Sequence, residues 1–373
     1  MTFMQSFKRF FLSSLVFVGL ILPAVSSAAV APSGLSYSTW LAYWKKAVSV
    51  TDVIPHLNLF TEVSPFGYTV KADGTLSDTA LIDQPPWPTL FAQATSSNVK
   101  IIPTVAWSDS ASIYKVLSNT KLRTSHVQQI VSAVTSHNFA GIDIDYENKT
   151  LSTKAGFSAF LKQLGTALHA KKKIMTCSIE SRTPLSSRFV TIPKTTSYVN
   201  DFSVINQYCD EVRIMAYDQY NVDIVLNKSK GGGLNFYAPI SDSDWVKKVI
   251  IETLNTVSRK KIVLAVATYA RDYTVVQNGN SYTYINPKSI AYSDAIALAQ
   301  ANSVTPVRNS AGELGFAYTV ASSTAPGVLH YVSISDATAI ADKIRLAKAY
   351  SLKGVAVFKI DSNEDSQIWN ILN

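Results

Sequence analysis

The sequence predicts an α/β fold: a (β/α)8 barrel of the TIM type, with a small α+β insertion between its seventh and eighth strands. Three observations predict it. Eight short apolar runs recur with amphipathic stretches between them, the pattern of β/α units rather than of a sandwich. A chain of 373 residues is long enough for one large barrel and an insert. About sixty residues separate the seventh run from the amphipathic stretch before the eighth, too many for a structureless loop.

In chain order the runs are TWLAYW (39–44), HLNLFTEV (56–63), NVKIIPTVAW (98–107), FAGIDIDYE (139–147), KIMTCSIE (173–180), EVRIMAYD (211–218), KIVLAVATYA (261–270) and KGVAVFKID (353–361). Between them, Phe157, Phe160, Leu161, Leu164 and Leu168 recur at i, i+3, i+4 spacing, as do Val246, Val249, Ile250, Thr253, Leu254 and Val257, so helices are expected there. Ser152 or Thr153, and Ser241 or Ser243, are the candidate N-caps. An open parallel sheet of this size would leave two edges bare, which favours closure over a doubly wound sheet. Residues 273–334 contain a candidate helix (292–302) and candidate strands (314–320 and 327–334), and are expected to form a subdomain beside the barrel mouth. The barrel itself is assigned to residues 39–373.

The N-terminus reads differently. Lys8 and Arg9 precede an apolar run of about fifteen residues, short of the ~20 a spanning helix needs, and small residues lead up to Ala28. Residues 1–28 are therefore expected to be a signal peptide, residues 29–38 a linker, and the mature chain secreted, with no membrane association after cleavage. Loss of the leader removes two bases and no acids, taking the formal charge from +8 to +6. The remaining Lys and Arg are dispersed and accompany no nucleic-acid motif, so a solvated surface is expected rather than a nucleic-acid partner. Export permits a disulfide between Cys177 and Cys209, yet both lie in apolar segments where free thiols are equally at home, and the pairing stays open. No metal-ligand spacing occurs and the five histidines are scattered, so no metal and no cofactor is expected. A monomer is expected.

The chemistry is concentrated in FAGIDIDYEN (139–148), where Asp143, Asp145 and Glu147 alternate with Ile142, Ile144 and Tyr146. In a strand such alternation puts the acids on one face and the apolar residues on the other. Within a parallel barrel the acids would climb the interior and Glu147, last along the strand, would emerge at the C-terminal rim, where barrel enzymes keep their active sites. Carboxyl groups about 7 Å apart in a partly dry interior cannot all ionise cheaply, so at least one should hold a proton near neutrality. A protonated rim glutamate beside an ionised carboxylate suits glycoside cleavage; a solvated acidic face or a divalent-cation site would carry the same pattern.

The segment resembles the glycoside hydrolase family 18 signature D-G-x-D-x-D-x-E. Gly141, Asp143, Asp145 and Glu147 are in place, with Ala140 where the leading Asp would be. RIMAYD (213–218) resembles the family's M-x-Y-D, TYAR (268–271) its Tyr-Gly-Arg, and the late insertion its chitinase insertion domain. The resemblance implies substrate-assisted retaining hydrolysis, with Glu147 as general acid and then base. Asp145 would orient the substrate's acetamido N–H, Tyr217 would hold its carbonyl oxygen, and Asp143 would share a proton with Asp145. Met215, Asp218 and Arg271 match pocket positions, with Asp218 the sugar contact and Met215 equally readable as barrel packing. Phe358 stands where the family usually floors the sugar site with Trp. Among aromatics near strand ends (Tyr43, Trp44, Trp107, Tyr220, Tyr269 and Tyr273), Trp44 and Trp107 are the foremost stacking candidates, with Tyr43 beside them.

The third-strand segment PTVAWSD departs from the family's S-x-G-G and resembles bacterial spore-cortex and wall-associated members. The expected partner is therefore an N-acetylglucosamine-containing polysaccharide, chitin or peptidoglycan, cleaved at β-1,4 linkages. A non-catalytic lectin on the same barrel is the alternative, suggested by Ala140, Phe358 and the altered third strand. Ala140 shares the outward parity of Ile142, so its exchange should bear on packing rather than on proton transfer.

Overall fold

The computed structural model describes residues 34–321 and 327–373. The expected leader and most of the linker lie outside the described residues. Eight parallel strands form the barrel: β1 (Ser36–Leu41), β2 (Glu62–Val70), β3 (Thr104–Trp107), β4 (Gly141–Tyr146), β5 (Ile174–Glu180), β6 (Glu211–Met215), β7 (Ile262–Ala267) and β8 (Gly354–Ile360). Each pairs in parallel with the next, and β8 pairs with β1 to close the ring. Closure leaves the barrel sheet without the two bare edges an open sheet would carry.

The strand reading needs three corrections, each with a local cause. The run 56–63 is mostly not strand: Ile54–Leu59 winds as a 3-10 helix and β2 starts only at Glu62. Pro55 lacks an N–H and has its torsion preset for a helical first turn, which a central strand would not tolerate. The first run is shifted as well, since β1 ends at Leu41 and Tyr43–Lys45 is a turn of 3-10 helix. The run 261–270 spans two sheets. β7 ends at Ala267, and Tyr269–Asn278 is the first strand of a second, antiparallel sheet. There it pairs with Ser281–Ala291 on one side and Val328–Ile334 on the other, and Leu314–Val320 follows. Helix Tyr292–Ala301 closes that sheet by packing Ala295 and Ala299 against Ala270, Phe316 and Val332.

The main apolar core lies between the outward faces of the barrel strands and the surrounding helices. Ile142, Ile144 and Tyr146 of β4 meet Phe157, Phe160, Leu161 and Leu164 of helix Lys154–His169 there, on the helix face the spacing anticipated. The capping reading is corrected at the second of the two helices. Asp242, not Ser241 or Ser243, caps Ser243–Leu254 by accepting from the Asp244 N–H. Thr153 stands at the N-cap of Lys154–His169, as expected, but its hydroxyl bonds Thr150 Oγ1 at 3.2 Å rather than a helix N–H, because a 3-10 turn, Leu151–Thr153, leads directly into the helix. A disulfide joins Cys177 on β5 to Cys209 just before β6, tying adjacent barrel strands. Gly141 opens β4 where a Cβ would stand 2.2 Å from the Ile174 carbonyl oxygen, so only glycine lets β4 and β5 approach this closely.

Candidate active site

β4 alternates as its sequence requires. The isoleucines and Tyr146 face the helices, and the Tyr146 hydroxyl bonds His126 Nε2 at 2.5 Å; Asp143 and Asp145 face the barrel axis. Glu147 follows the strand end at the C-terminal rim, its N–H donating to the Trp107 carbonyl at 2.8 Å. Ala140, on the outward parity, lies just before the strand, its N–H and C=O taken up by Ile101 and Ile174.

Asp143 lies deepest and is fully buried. Its carboxylate accepts from Trp40 Nε1 at 3.0 Å, Thr104 Oγ1 at 2.8 Å and Ser178 Oγ at 2.9 Å, with Arg213 Nη1 3.5 Å away. This corrects the expected sharing of a proton with Asp145: among the described residues no hydrogen bond joins the two carboxyls, and Asp145 Oδ1 is buried without a partner. Burial, reinforced by Glu147, Asp143 and Glu180, pushes the Asp145 carboxyl well above its ordinary value, against the opposing pull of Lys149. Glu147 is also pushed up, by burial first and then by Glu180, again opposed by Lys149. Two adjacent acids thus hold protons more tightly than free carboxyls do, as the stripe led one to expect.

Above Asp143 a cleft of about 560 Å³ opens at the C-terminal rim. Asp145, Glu147, Met215, Tyr217, Asp218, Arg271, Phe358, Tyr43, Trp44, Trp107 and Tyr269 all line it, while Asp143 lies deeper and the rim aromatics Tyr220 and Tyr273 line a separate cavity. Burial pushes the Tyr217 hydroxyl well above its ordinary value, which keeps it a hydrogen-bond donor.

A family model, that of the glycosyl hydrolases family 18, matches residues 39–363. The chain belongs to glycoside hydrolase family 18. Among its relatives are two from Bacillus subtilis (strain 168). The uncharacterized glycosylase YvbX is 21% identical over 261 residues, 69% of this chain and 67% of the relative. The putative sporulation-specific glycosylase YdhD is 24% identical over 317 residues, 83% and 67%. Similar solved structures include a chitinase from Chromobacterium violaceum ATCC 12472, with TM-score 0.72 and 20% identity over 91% of this chain and 98% of that one. The Bacillus cereus spore cortex-lytic enzyme SleL has TM-score 0.69 and 20% identity over 91% and 74%. The protein is a glycosidase, and family membership points to a substrate of the chitin or peptidoglycan type.

Two family 18 pocket positions hold each other. Arg271, from the first strand of the second sheet, reaches back to Asp218 through Nε at 2.9 Å and Nη2 at 2.6 Å, and the Tyr269 hydroxyl adds a bond at 2.8 Å. Asp218, expected as the sugar contact, is therefore first an anchor between barrel and insertion, since each of its oxygens already has a partner. The floor of the cleft is aromatic: Phe358 stacks on Tyr217 at 5.6 Å and meets Trp40 and Phe66 edge-on at 5.8 and 6.0 Å. Trp44 is 51% exposed and offers an open face beside Tyr43. Trp107 does not: it is 5% exposed, its ring packed against Tyr146 and His126, so a rim position did not make it a stacking platform.

Sequence reasoning missed Trp40, Phe66, Arg213, Glu180 and Lys149. Glu180 was within reach: Asp145 registers with Ser178 across β4 and β5, so Glu180 stands opposite Glu147. Its carboxylate meets Lys149 Nζ at 3.3 Å. Glu180→Gln would remove a charge that raises Glu147 and free Lys149 to act on it, both of which lower the Glu147 pKa. The acid form would then be lost at lower pH, so the alkaline limb of the kcat/KM profile is expected to move down by roughly half a unit or more. A limb that stays in place or moves up contradicts this wiring.

Proposed function

We propose that this glycosidase is exported and cleaves β-1,4 linkages next to an N-acetylhexosamine, in chitin oligomers or peptidoglycan glycan, with retention of configuration. The observation that carries the reading is the convergence of Glu147, Asp145 and Tyr217 on one cleft, the two acids both biased toward their protonated forms. Glu147 gives its proton to the glycosidic oxygen as the C1–O bond breaks. The acetamido carbonyl oxygen of the same sugar closes on C1 from the opposite face, so no enzyme nucleophile is needed. Asp145 orients the acetamido group by accepting its N–H on the carboxyl oxygen that carries no proton, while the Tyr217 hydroxyl donates to the carbonyl oxygen and fixes its approach. Glu147, now a carboxylate, removes a proton from the incoming water, whose oxygen bonds to C1 and reopens the ring.

The aromatic floor around Phe358 supplies a flat apolar face against which a pyranose ring packs. Product analysis tests the reading. Purified mature protein is expected to release reducing ends from N-acetylglucosamine oligomers or from glycan strands, and proton NMR of the first products should show the β-anomer in excess. Initial release of the α-anomer would exclude retention, and no release from either substrate would end the proposal. Export is supported by Lys8, Arg9 and the apolar run before Ala28. A mature protein still carrying those residues after expression in a secreting host would refute it.

A further inference from the structure

One strand round the rim from Glu147, the loop after β5 builds a second, smaller cavity of about 220 Å³, lined by Glu180, Arg182, Arg188, Tyr198 and Asn200 among others. It is too small for a sugar unit with its own binding site, since ligand pockets usually run from several hundred Å³ upward. Its volume suits a substituent of a few heavy atoms. Its chemistry is cationic. Arg182 lies between two aromatic rings, 3.6 Å from the Tyr198 centroid and 4.1 Å from that of Phe202, and spends one N–H on the Asn200 carbonyl at 2.9 Å. Arg188 donates to the Tyr198 hydroxyl at 3.0 Å, and its Nε is buried without a partner.

Among the described residues neither guanidinium has a carboxylate at salt-bridge distance. The acids nearby are engaged elsewhere. Glu180 turns one oxygen to Asn200 Nδ2 at 2.6 Å and the other to Lys149 at 3.3 Å, and Asp201 caps the following helix and pairs with Lys154 at 3.6 Å. Two arginines with five N–H donors each, held by stacking and short of partners, make a fork suited to a carboxylate. A neutral glycan would give them nothing to neutralise.

We propose that Arg182 and Arg188 form an anion subsite that receives a carboxylate borne on a short arm of the glycan, beside the bond that Glu147 cleaves. The proposal rests on the glycosidase reading above and narrows its substrate class to glycans carrying an acidic substituent, such as the lactyl ether of peptidoglycan. The arginines bind and position; they take no part in proton transfer.

Soluble peptidoglycan fragments with free carboxyl groups, the same fragments with those groups masked as amides, and neutral N-acetylglucosamine oligomers are compared on wild type and Arg188→Gln. Wild type is expected to lose tenfold or more in kcat/KM when the carboxyls are masked, a comparison that needs no variant. Arg188→Gln should lose a similar factor on the free-acid fragments, change less than twofold on neutral oligomers, and no longer discriminate against masking. Arg188→Lys should recover part of the loss, since it restores charge without the fork. Equal rates of wild type on free and masked fragments would overturn the subsite. So would an equal loss by Arg188→Gln on all three substrates, which would assign the arginine to holding its loop. If wild type cleaved none of them, the glycosidic reading would fail separately. Calorimetry of the free-acid and masked fragments against Glu147→Gln protein would then decide the subsite, with unequal affinity supporting it and equal affinity overturning it.

Discussion

Glu147→Gln is expected to lower kcat on N-acetylglucosamine oligomers or glycan strands by a factor of about 10² to 10⁴, the range typical of a lost general acid, with KM changed only severalfold. Glutamine keeps the shape of the side chain and a hydrogen-bond acceptor but has no proton to give. The rest of the cleft, from Trp44 across Phe358 to the Asp218–Arg271 pair, is untouched, so ground-state binding should survive while the transition state loses its proton donor. The leaving group offers a sharper readout. A substrate whose departing group is a weakly basic phenol needs little protonation, and the variant's deficit should shrink by an order of magnitude or more on it. The pH profile should change as well: wild-type activity falls as pH rises through the elevated Glu147 pKa, and in the variant that alkaline limb should disappear. A variant keeping a tenth of wild-type kcat on natural linkages, or a deficit independent of the leaving group, would take the acid role away from Glu147.

What was legible in the sequence was whatever depended on alternation within a strand. The parity of FAGIDIDYEN placed Asp143, Asp145 and Glu147 on the axis and Ala140 with the outward residues, because side-chain direction in a strand is fixed by the pleat. Helix faces were legible for the same kind of reason, as Phe157 to Leu168 shows. What escaped were facts set by packing between segments distant in the chain. The second strand was placed too early because Leu57, Leu59 and Phe60 satisfy an apolar pattern whether they are strand or 3-10 helix, and that slip left Ser64 and Phe66 outside the strand. TYAR seemed to finish the seventh strand, although the chain leaves the barrel at Ala267 and Arg271 serves the cleft from the other sheet. The Cys177–Cys209 bond was undecidable from two apolar contexts and became plain only when β5 and the start of β6 were seen side by side. Trp107 failed as a stacking face for a related reason: nearness to a strand end says which rim a ring occupies, not which side of the sheet it packs on.

The second large effect is expected at a residue that never touches the cleft. Arg213 is fully buried and spans the barrel from β6 to β2, donating to Glu62 Oε1 at 2.7 Å and Ser64 Oγ at 2.9 Å while standing 3.5 Å from Asp143 and over the Trp40 ring. Strand β6 displays it in the sequence, since Glu211, Arg213, Met215 and Tyr217 alternate just as the β4 acids do. Glu62 is already pushed up to about 7 by burial and by Glu211, with Arg213 pulling the other way. Arg213→Met keeps the volume but removes the only one of these groups that draws Glu62 down, leaving Asp143 without its cation. Breaking a buried ion pair from one side costs about 3–5 kcal/mol, and that loss is expected in urea unfolding at pH 8. The sign of its pH dependence follows from the carboxyls left behind. A raised carboxyl costs stability as pH rises above its unfolded value and stops costing more once pH passes its folded value. Below about 7 Glu62 is protonated in both folded proteins and costs them equally, so its share of the deficit should grow as pH rises above about 7 and fade as pH falls back to about 7. Activity should fall too, through Asp143 and the Trp40 contact beneath Phe358, and adding Glu62→Gln should restore part of the stability because it removes one of the stranded charges. An Arg213→Met protein with wild-type stability at pH 8, or one whose deficit grew toward acid pH, would show that the barrel floor does not depend on this cation.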